Sequence, residues 1–286
     1  MQQGIVKLTA EQYHADPAPV ASLSSSIANI LIDQSPLHAW MAHPRLNLRY
    51  EKEEDSRFDL GSAAHMMLLE QREDKIVRVQ ADDWRTKAAK EARAAAQANG
   101  QFAVLERQYG DIVTMCAVAR TYMETTELGD LLDSGDAERT VLWQEGPFWF
   151  RCKPDIMSQD RRVVLDYKST SSAAPDFFSK QIGRMGYDLQ SEFYNRGLSA
   201  VTGREDTVFV MLAQEITPPY ACSLISLSNT FREVGKLKVK RAIDIWQRCV
   251  QANSWPGYTN KILYAEPKPW DAAEMEATKD ELEEKS

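Results

Sequence analysis

Two acids and a lysine near the middle of the chain have the types and spacing of a phosphodiester-hydrolysing site. Asp155 follows Lys153-Pro154, and ten residues later comes Asp166-Tyr167-Lys168. Residues 162–168 (RVVLDYK) have the β-branched and apolar content of a strand. On a strand, side chains two apart share a face. Asp166 and Lys168 therefore project together, in line with Val164, while Val163, Leu165 and Tyr167 turn to the opposite face and a core. A turn at Ser158-Gln159-Asp160 brings the preceding strand back and sets Asp155 beside Asp166. Hard carboxylate oxygens so arranged suit Mg²⁺, which usually takes one or two carboxylates and keeps waters to exchange for phosphate oxygens. Such a cation polarises phosphate and lowers the pKa of a bound water. Lys168 then either orients that water or stabilises the charge developing on phosphate. The plainer account of the same residues is an exposed Asp–Lys cross-strand pair, worth about 0.2–1 kcal/mol.

Other candidates lie on helices. Residues 57–70 (RFDLGSAAHMMLLE) place Leu60, Ala64, Met67 and Leu68 at helical spacing. Gly61 sits one turn before His65, and with the two alanines it lets the backbone approach whatever His65 touches. His65 is thus a ligand or a satisfied core histidine. Further on, Tyr187, Gln190 and Tyr194 fall at i, i+3 and i+7, either reaching substrate or forming a half-buried amphipathic stripe. Arg85, Lys87, Lys90 and Arg93, with Arg151 and Lys153 beside the first acid, are candidate phosphate contacts. A solvated helix face accounts for the former group equally well.

The elements that must carry these residues follow from pattern. The start, through Pro17 and Pro19, reads as an irregular arm. Ser24, Ser25 or Ser26 caps a short helix containing Ile27, Ile30 and Leu31, and Ser35-Pro36 opens another with Leu37, Trp40 and Met41. A strand is expected at 75–79 and long helices at 86–98 and 104–123. Strands at 138–145, 148–153 and 162–168 read as an antiparallel meander. Helices follow at 175–183 and 187–201, strands at 206–214 and 220–227, and a long helix at 229–252. This order predicts an α/β (α+β) fold, a central mixed sheet flanked by helices, as a single domain over 1–270. Its first 56 residues form an N-terminal arm and short helices packed on the rest, and residues 271–286 an acidic tail without fixed structure.

The 286 residues are 43% hydrophobic and 27% charged, enough apolar content to oppose disorder. The longest apolar runs, such as 208–213, fall far short of the ~20 residues of a membrane span, and no leader pattern opens the chain. A soluble cytoplasmic protein is expected. Cys116, Cys152, Cys222 and Cys249 lack the close pairing of a zinc or iron–sulfur site. A net charge of −8 argues against nucleic acid at first sight. Residues 271–286, however, hold seven acids against two lysines, so that −5 lies there and only −3 on residues 1–270.

Taken in order, G-S-A-A-H-M-M-L-L-E, R-C-K-P-D, V-V-L-D-Y-K-S-T and D-L-Q-S-E-F-Y resemble the PD-(D/E)XK nuclease superfamily in its RecB-like branch, and within it the RecE-type exodeoxyribonuclease VIII nuclease domain and its phage relatives. The likeness extends from the arm ending Leu23-Ser24-Ser25-Ser26 to Trp255-Pro256. It implies that Asp155 and Asp166 are metal ligands, joined by His65 and the backbone carbonyl of Tyr167, and that Lys168 is the catalytic lysine. Gln190 and Tyr194 match Q-x3-Y, implied to contact substrate or support the site, and Glu70 lies behind His65. The implied cofactor is Mg²⁺, with Mn²⁺ as substitute and no iron–sulfur cluster. The implied activity is processive 5′-to-3′ degradation of one strand from linear duplex DNA ends, leaving 3′ single-stranded tails for a single-strand annealing protein, by a ring-like homo-oligomer in a bacterial or phage-infected cell. Rival readings are a RecB-like or restriction-type endonuclease and a non-catalytic DNA-binding protein.

Overall fold

The computed structural model describes residues 2–50, 60–70 and 72–267, with Asp271 and Met275. The chain divides into a compact unit, Met1–Pro256, and a second, Gly257–Ser286, which is coil over its described stretch 257–267. Most of the acidic segment 271–286 and residues 51–59 lie outside the description.

In chain order the elements are β1 (Gly4–Lys7), α1 (Ala10–His14), β2 (Ser22–Ser24), α2 (Ser25–Asp33), α3 (Pro36–Met41), α4 (Leu60–Leu68), β3 (Ile76–Val79), α5 (Lys87–Ala98), β4 (Phe102–Leu105) and α6 (Glu106–Glu124). There follow α7 (Leu131–Ser134), β5 (Asp136–Ala137), β6 (Arg139–Glu145), β7 (Phe148–Cys152), β8 (Ile156–Met157), β9 (Val163–Thr170), α8 (Pro175–Met185), α9 (Tyr187–Thr202), β10 (Val208–Glu215), β11 (Cys222–Ser226) and α10 (Asn229–Ala252). They build a mixed α/β fold around a five-stranded sheet ordered β11-β10-β9-β8-β5. In that sheet β9 and β10 are parallel, joined through α8 and α9, and the other pairs are antiparallel. A four-stranded sheet, β1-β6-β7-β2, and the parallel pair β3-β4 complete the strands.

Helices cover both faces of the five-stranded sheet, as buried parallel strands require. Val164, Phe209, Met211 and Ala213 join one core with α9, α10 and the inner face of the four-stranded sheet. Leu165, Tyr167, Val210 and Leu212 join the other with α4 and α6. The alternation expected along β9 is thus realised. Tyr167 fixes it, its hydroxyl donating to Gln214 Oε1 (2.7 Å) while Gln214 Nε2 donates to the Met115 carbonyl of α6 (2.9 Å).

Four expectations are corrected. The N-terminal arm is not irregular throughout. β1 pairs with β6, and Thr9 and Gln12 form a reciprocal capping box that starts α1. Residues 102–105 form β4, parallel to β3, and α6 begins only at Glu106. The four-residue helix α7 was not expected, being too short to show a period. The meander is broken as well. β6 and β7 are a hairpin of one sheet, whereas β8 and β9 pair in the other. Pro154 explains the break, because without an N–H it cannot extend the ladder of β7. The chain changes sheets at Lys153-Pro154 and delivers Asp155 at the crossing.

Two packing features set the position of α9. A Cβ on Gly235 of α10 would lie 2.3 Å from the Asp188 carbonyl oxygen of α9. On either side of Gln190, buried Asp188 and Glu192 pair with Lys238 (2.7 Å) and Arg232 (2.9 Å) of α10. Gly235→Ala must therefore push two helix backbones apart, at a cost of about 1–3 kcal/mol for an overpacked core. The expected result is a lower urea midpoint, with reduced activity from displacement of α9. An unchanged midpoint would show that the helices part freely.

The N-terminal arm is held by a buried polar cluster. Asp16, in the left-handed region (φ 60°), accepts from the backbone N–H (2.9 Å) and hydroxyl (2.6 Å) of Ser22 and lies 3.2 Å from Arg151 Nη1 of β7. His43 Nε2 is 3.0 Å from the Ser22 carbonyl, and its Nδ1 is 3.2 Å from the Arg45 N–H. These partners select the neutral imidazole with the proton on Nε2. Burial, with the nearby Arg151 and Arg45 charges, lowers its pKa to about 4. The unfolded chain therefore binds more protons than the native one between about pH 6.5 and 4, so stability falls on acidification through that window. From pH 7 to 5 the expected loss from this group is roughly 2 kcal/mol. His43→Gln should flatten that part of a urea-stability profile, and an unaltered slope would assign it elsewhere.

Candidate active site

Five elements converge on one open cleft of about 590 Å³. β9 brings Asp166 and Lys168 on its α9-facing side. The Lys153-Pro154 crossing brings Asp155, whose Oδ2 accepts the Tyr167 N–H (2.8 Å), an anchor that holds its carboxylate against β9. α4 brings His65. Its buried Ala63 and Ala64 lie close to α6, and the Cys116 thiol approaches the Ala64 carbonyl (3.7 Å). That small-residue contact seats the helix so that His65 Nε2 lies 3.2 Å from Asp155 Oδ1. α9 brings Gln190 and Tyr194. The start of β6 adds Glu138, the residue immediately before the strand.

The deepest part is a chain of polar contacts. Lys168 forms an ion pair with Asp166, which is 2% exposed. Gln190 bridges the two, its Nε2 donating to Asp166 Oδ2 (2.9 Å) and its Oε1 accepting from Lys168 Nζ (3.0 Å). The amide is itself fixed by Tyr194, whose hydroxyl accepts from Gln190 Nε2 (3.2 Å) and donates to the Lys153 carbonyl (3.4 Å). The Tyr187 ring lies 4.6 Å from Lys168 Nζ and adds a cation–π contact.

Electrostatics divide the groups. Burial would lower Lys168, but Asp166 and Asp155 outweigh it and raise its pKa, so it is an ammonium. Burial would raise Asp155, but the His65 charge and hydrogen bond, with Lys168 and the Tyr167 N–H, hold it below the usual carboxylate range. At Asp166 burial and the Asp155 charge prevail, raising it to about 6. Burial disfavours the His65 imidazolium, yet Asp155, Glu138 and Glu70 raise it to about 9. Clustered acids that push one another apart in this way want a positive charge between them.

The donor set fits a divalent cation. Among the described residues, His65, Glu70 and Glu138 present ligand atoms all within 4.8 Å of one another, and Asp155 lies against the same imidazole. Carboxylate oxygens with one imidazole nitrogen suit a hard or borderline divalent cation rather than a thiolate metal.

The expected site residues are therefore largely assembled. His65, Asp155, Lys153, Gln190 and Tyr194 line the cleft, and Asp166 and Lys168 back it through Gln190. Four basic candidates fare differently from one another. Arg151 is no phosphate contact. It is 4% exposed and committed to Asp16 and to the Ser22 carbonyl (2.6 Å), because every residue of β7 is buried. Arg85 and Lys87 are about nine-tenths exposed beside α5, paired with Asp83 and Glu91, and do not line the cleft. Lys153 forms an ion pair with Glu138. Glu138 itself was missed. It reads in the sequence as an ordinary strand-leading glutamate, and no spacing to His65 or Asp155 marks it.

Comparison with known proteins places the fold. The PDDEXK-like domain of unknown function (DUF3799) matches residues 30–268, and the chain belongs to that family. Among solved structures, an Eubacterium rectale protein provisionally described as an exonuclease is 14% identical, with a TM-score of 0.60 over 93% of this chain and 98% of that one. This likeness shows the shared fold. A phage-related exonuclease from Haemophilus somnus (13% identity, TM-score 0.29) and an alkaline exonuclease from Laribacter hongkongensis (15%, 0.27) each align over 69% of this chain, covering 97% and 94% of theirs. Scores that low add nothing to the assignment. No curated protein matches. Among the described residues, no helix is long and apolar enough to cross a membrane.

Proposed function

We propose that this protein is a divalent-metal-dependent deoxyribonuclease acting on the ends of linear duplex DNA. The observation that carries the reading is the Asp166–Gln190–Lys168 chain set behind the His65–Asp155 pair in an open cleft. That arrangement supports the reading because acids and an imidazole line the cleft and a fixed ammonium stands behind them. His65, Asp155, Asp166 and the Tyr167 carbonyl would hold the cation, Mg²⁺ or its substitute Mn²⁺. When bound, it supplies Lewis-acid polarisation of the phosphate and a more acidic water. Lys168, kept as an ammonium by two carboxylates, acts as an electrostatic donor to the charge developing on phosphate rather than as a base. Gln190 holds that ammonium in place, and Tyr194 holds Gln190.

The motif order of the chain supports the finer reading, a processive 5′-to-3′ exonuclease of the cytoplasm that leaves 3′ tails for a single-strand annealing protein and works as a ring-like homo-oligomer. The decisive experiment compares blunt linear duplex, labelled at each 5′ or 3′ end in turn, with covalently closed circular duplex, in Mg²⁺, Mn²⁺ or EDTA. Early release of 5′ label as short products, with circles intact and EDTA silent, is the expected outcome. Nicked or linearised circles would make it an endonuclease, first release of 3′ label would reverse the polarity, and digestion in EDTA would end the metal reading.

A further inference from the structure

Glu138 stands outside the motifs that mark the rest of the site, yet it occupies the cleft wall beside the histidine. His65 is bordered by three carboxylates. Glu70 Oε1 faces Nδ1 at 3.7 Å, whereas Asp155 Oδ1 and Glu138 Oε1 both face Nε2, at 3.2 and 3.8 Å. A ligating imidazole commonly offers one nitrogen to the metal and gives the other to an orienting carboxylate. The division here puts Glu70 on the orienting side and Glu138 with Asp155 on the ligand side. The Glu138 backbone is tied to that same acid, its N–H donating to the Asp155 carbonyl at 2.8 Å. It also lies in the left-handed region (φ 57°), where glycine or asparagine is at ease and a glutamate is not. A strained glutamate at this point calls for a use of its carboxylate. Its present partner is Lys153, 13% exposed, the residue that leads into Pro154-Asp155.

We propose that Glu138 is a working member of the metal site, a carboxylate for which Lys153 and a divalent cation compete, the cation sharing it with His65 and Asp155. The proposal rests on the reading above that the cleft takes such a cation. It assigns Lys153 as the counter-ion the metal must displace from Glu138, not as a phosphate contact. Binding is thus an exchange of one cation for another at a single carboxylate, and the two residues have opposite effects on affinity.

The test is Mn²⁺ binding to the full-length protein without DNA, followed by the loss of the free-ion EPR signal. Glu138→Asn keeps a side chain suited to the left-handed backbone but removes the charge, so folding is retained. It should weaken Mn²⁺ binding by about tenfold or more, the range for lost ligand-shell partners. Lys153→Met should tighten it several-fold, and the double variant should match Glu138→Asn. Melting temperatures of each metal-free variant check the fold, with Glu138→Gly as a second charge-free residue at ease there. Unchanged affinity in both Glu138 variants, or weaker binding in Lys153→Met, would overturn the proposal. Asp155→Asn separates the two levels of the argument. If it abolishes Mn²⁺ binding while Glu138→Asn does not alter it, only the present proposal fails. If the wild-type protein binds no Mn²⁺, both readings fail together.

Discussion

Asp166→Asn is expected to reduce DNA digestion by at least about a thousandfold, equivalent to roughly 4 kcal/mol of transition-state stabilisation. The substitution keeps the shape of the side chain and an oxygen to accept from Gln190 Nε2, so the path to inactivity is loss of charge rather than collapse. Asp166 is 2% exposed, so the lost charge is not replaced by solvent. The folded variant should also need a higher metal concentration for any residual cleavage. Its stability should drop, because removing one partner of a buried ion pair leaves the Lys168 ammonium to the Gln190 carbonyl oxygen, the Tyr187 ring and the more distant Asp155 charge. Circular dichroism confirms folding, and time courses on labelled duplex measure the rate. A well-folded Asp166→Asn protein cutting at the wild-type rate would remove this acid from the site.

Lys168→Met should be as inactive, about a thousandfold down, for a different reason. The lysine donates positive charge but holds no cation, so Mn²⁺ binding should survive or strengthen while cleavage is lost. Stability supplies a second, independent readout. Each single variant strands a buried group, whereas Asp166→Asn combined with Lys168→Met strands neither. The double variant should therefore melt above both singles, a non-additivity expected of residues in contact. Cleavage at the normal rate by Lys168→Met would deny the lysine its role, and loss of Mn²⁺ binding would make it part of the ligand framework instead.

Much of this site was legible because β9 obeys a strict rule. With one core on each face, side chains must alternate, and Asp166 and Lys168 had to emerge together opposite Leu165 and Tyr167. The approach of His65 to Asp155 was legible only through motif resemblance, since no local pattern relates a helix to a crossing ninety residues away. Arg151 was misread for a physical reason. Its place beside Lys153-Pro154-Asp155 marks proximity along the chain, but β7 is buried on both faces, and so a charge there had to find an internal partner. The broken meander was written in Pro154 and the first helix in the Thr9–Gln12 pair, both visible without a structure. Glu138 was not visible, because its importance comes from a backbone twist and from neighbours that only the fold brings near.

The buried attachment of the N-terminal arm bears on when the protein becomes a nuclease at all. Ser22 and the Arg151 that donates to its carbonyl are 129 residues apart. At ribosomal speeds of about 5–20 residues per second, the first segment waits roughly 6 to 26 seconds for its partner to be made. The arm supplies one wall of the cleft, and α9, whose Gln190 holds Lys168, is synthesised later still. A nascent chain thus carries Glu138, Asp155 and Asp166 before it carries Gln190, the side chain that holds Lys168. The cleft can therefore close only once α9, ending at Thr202, has been made and packed.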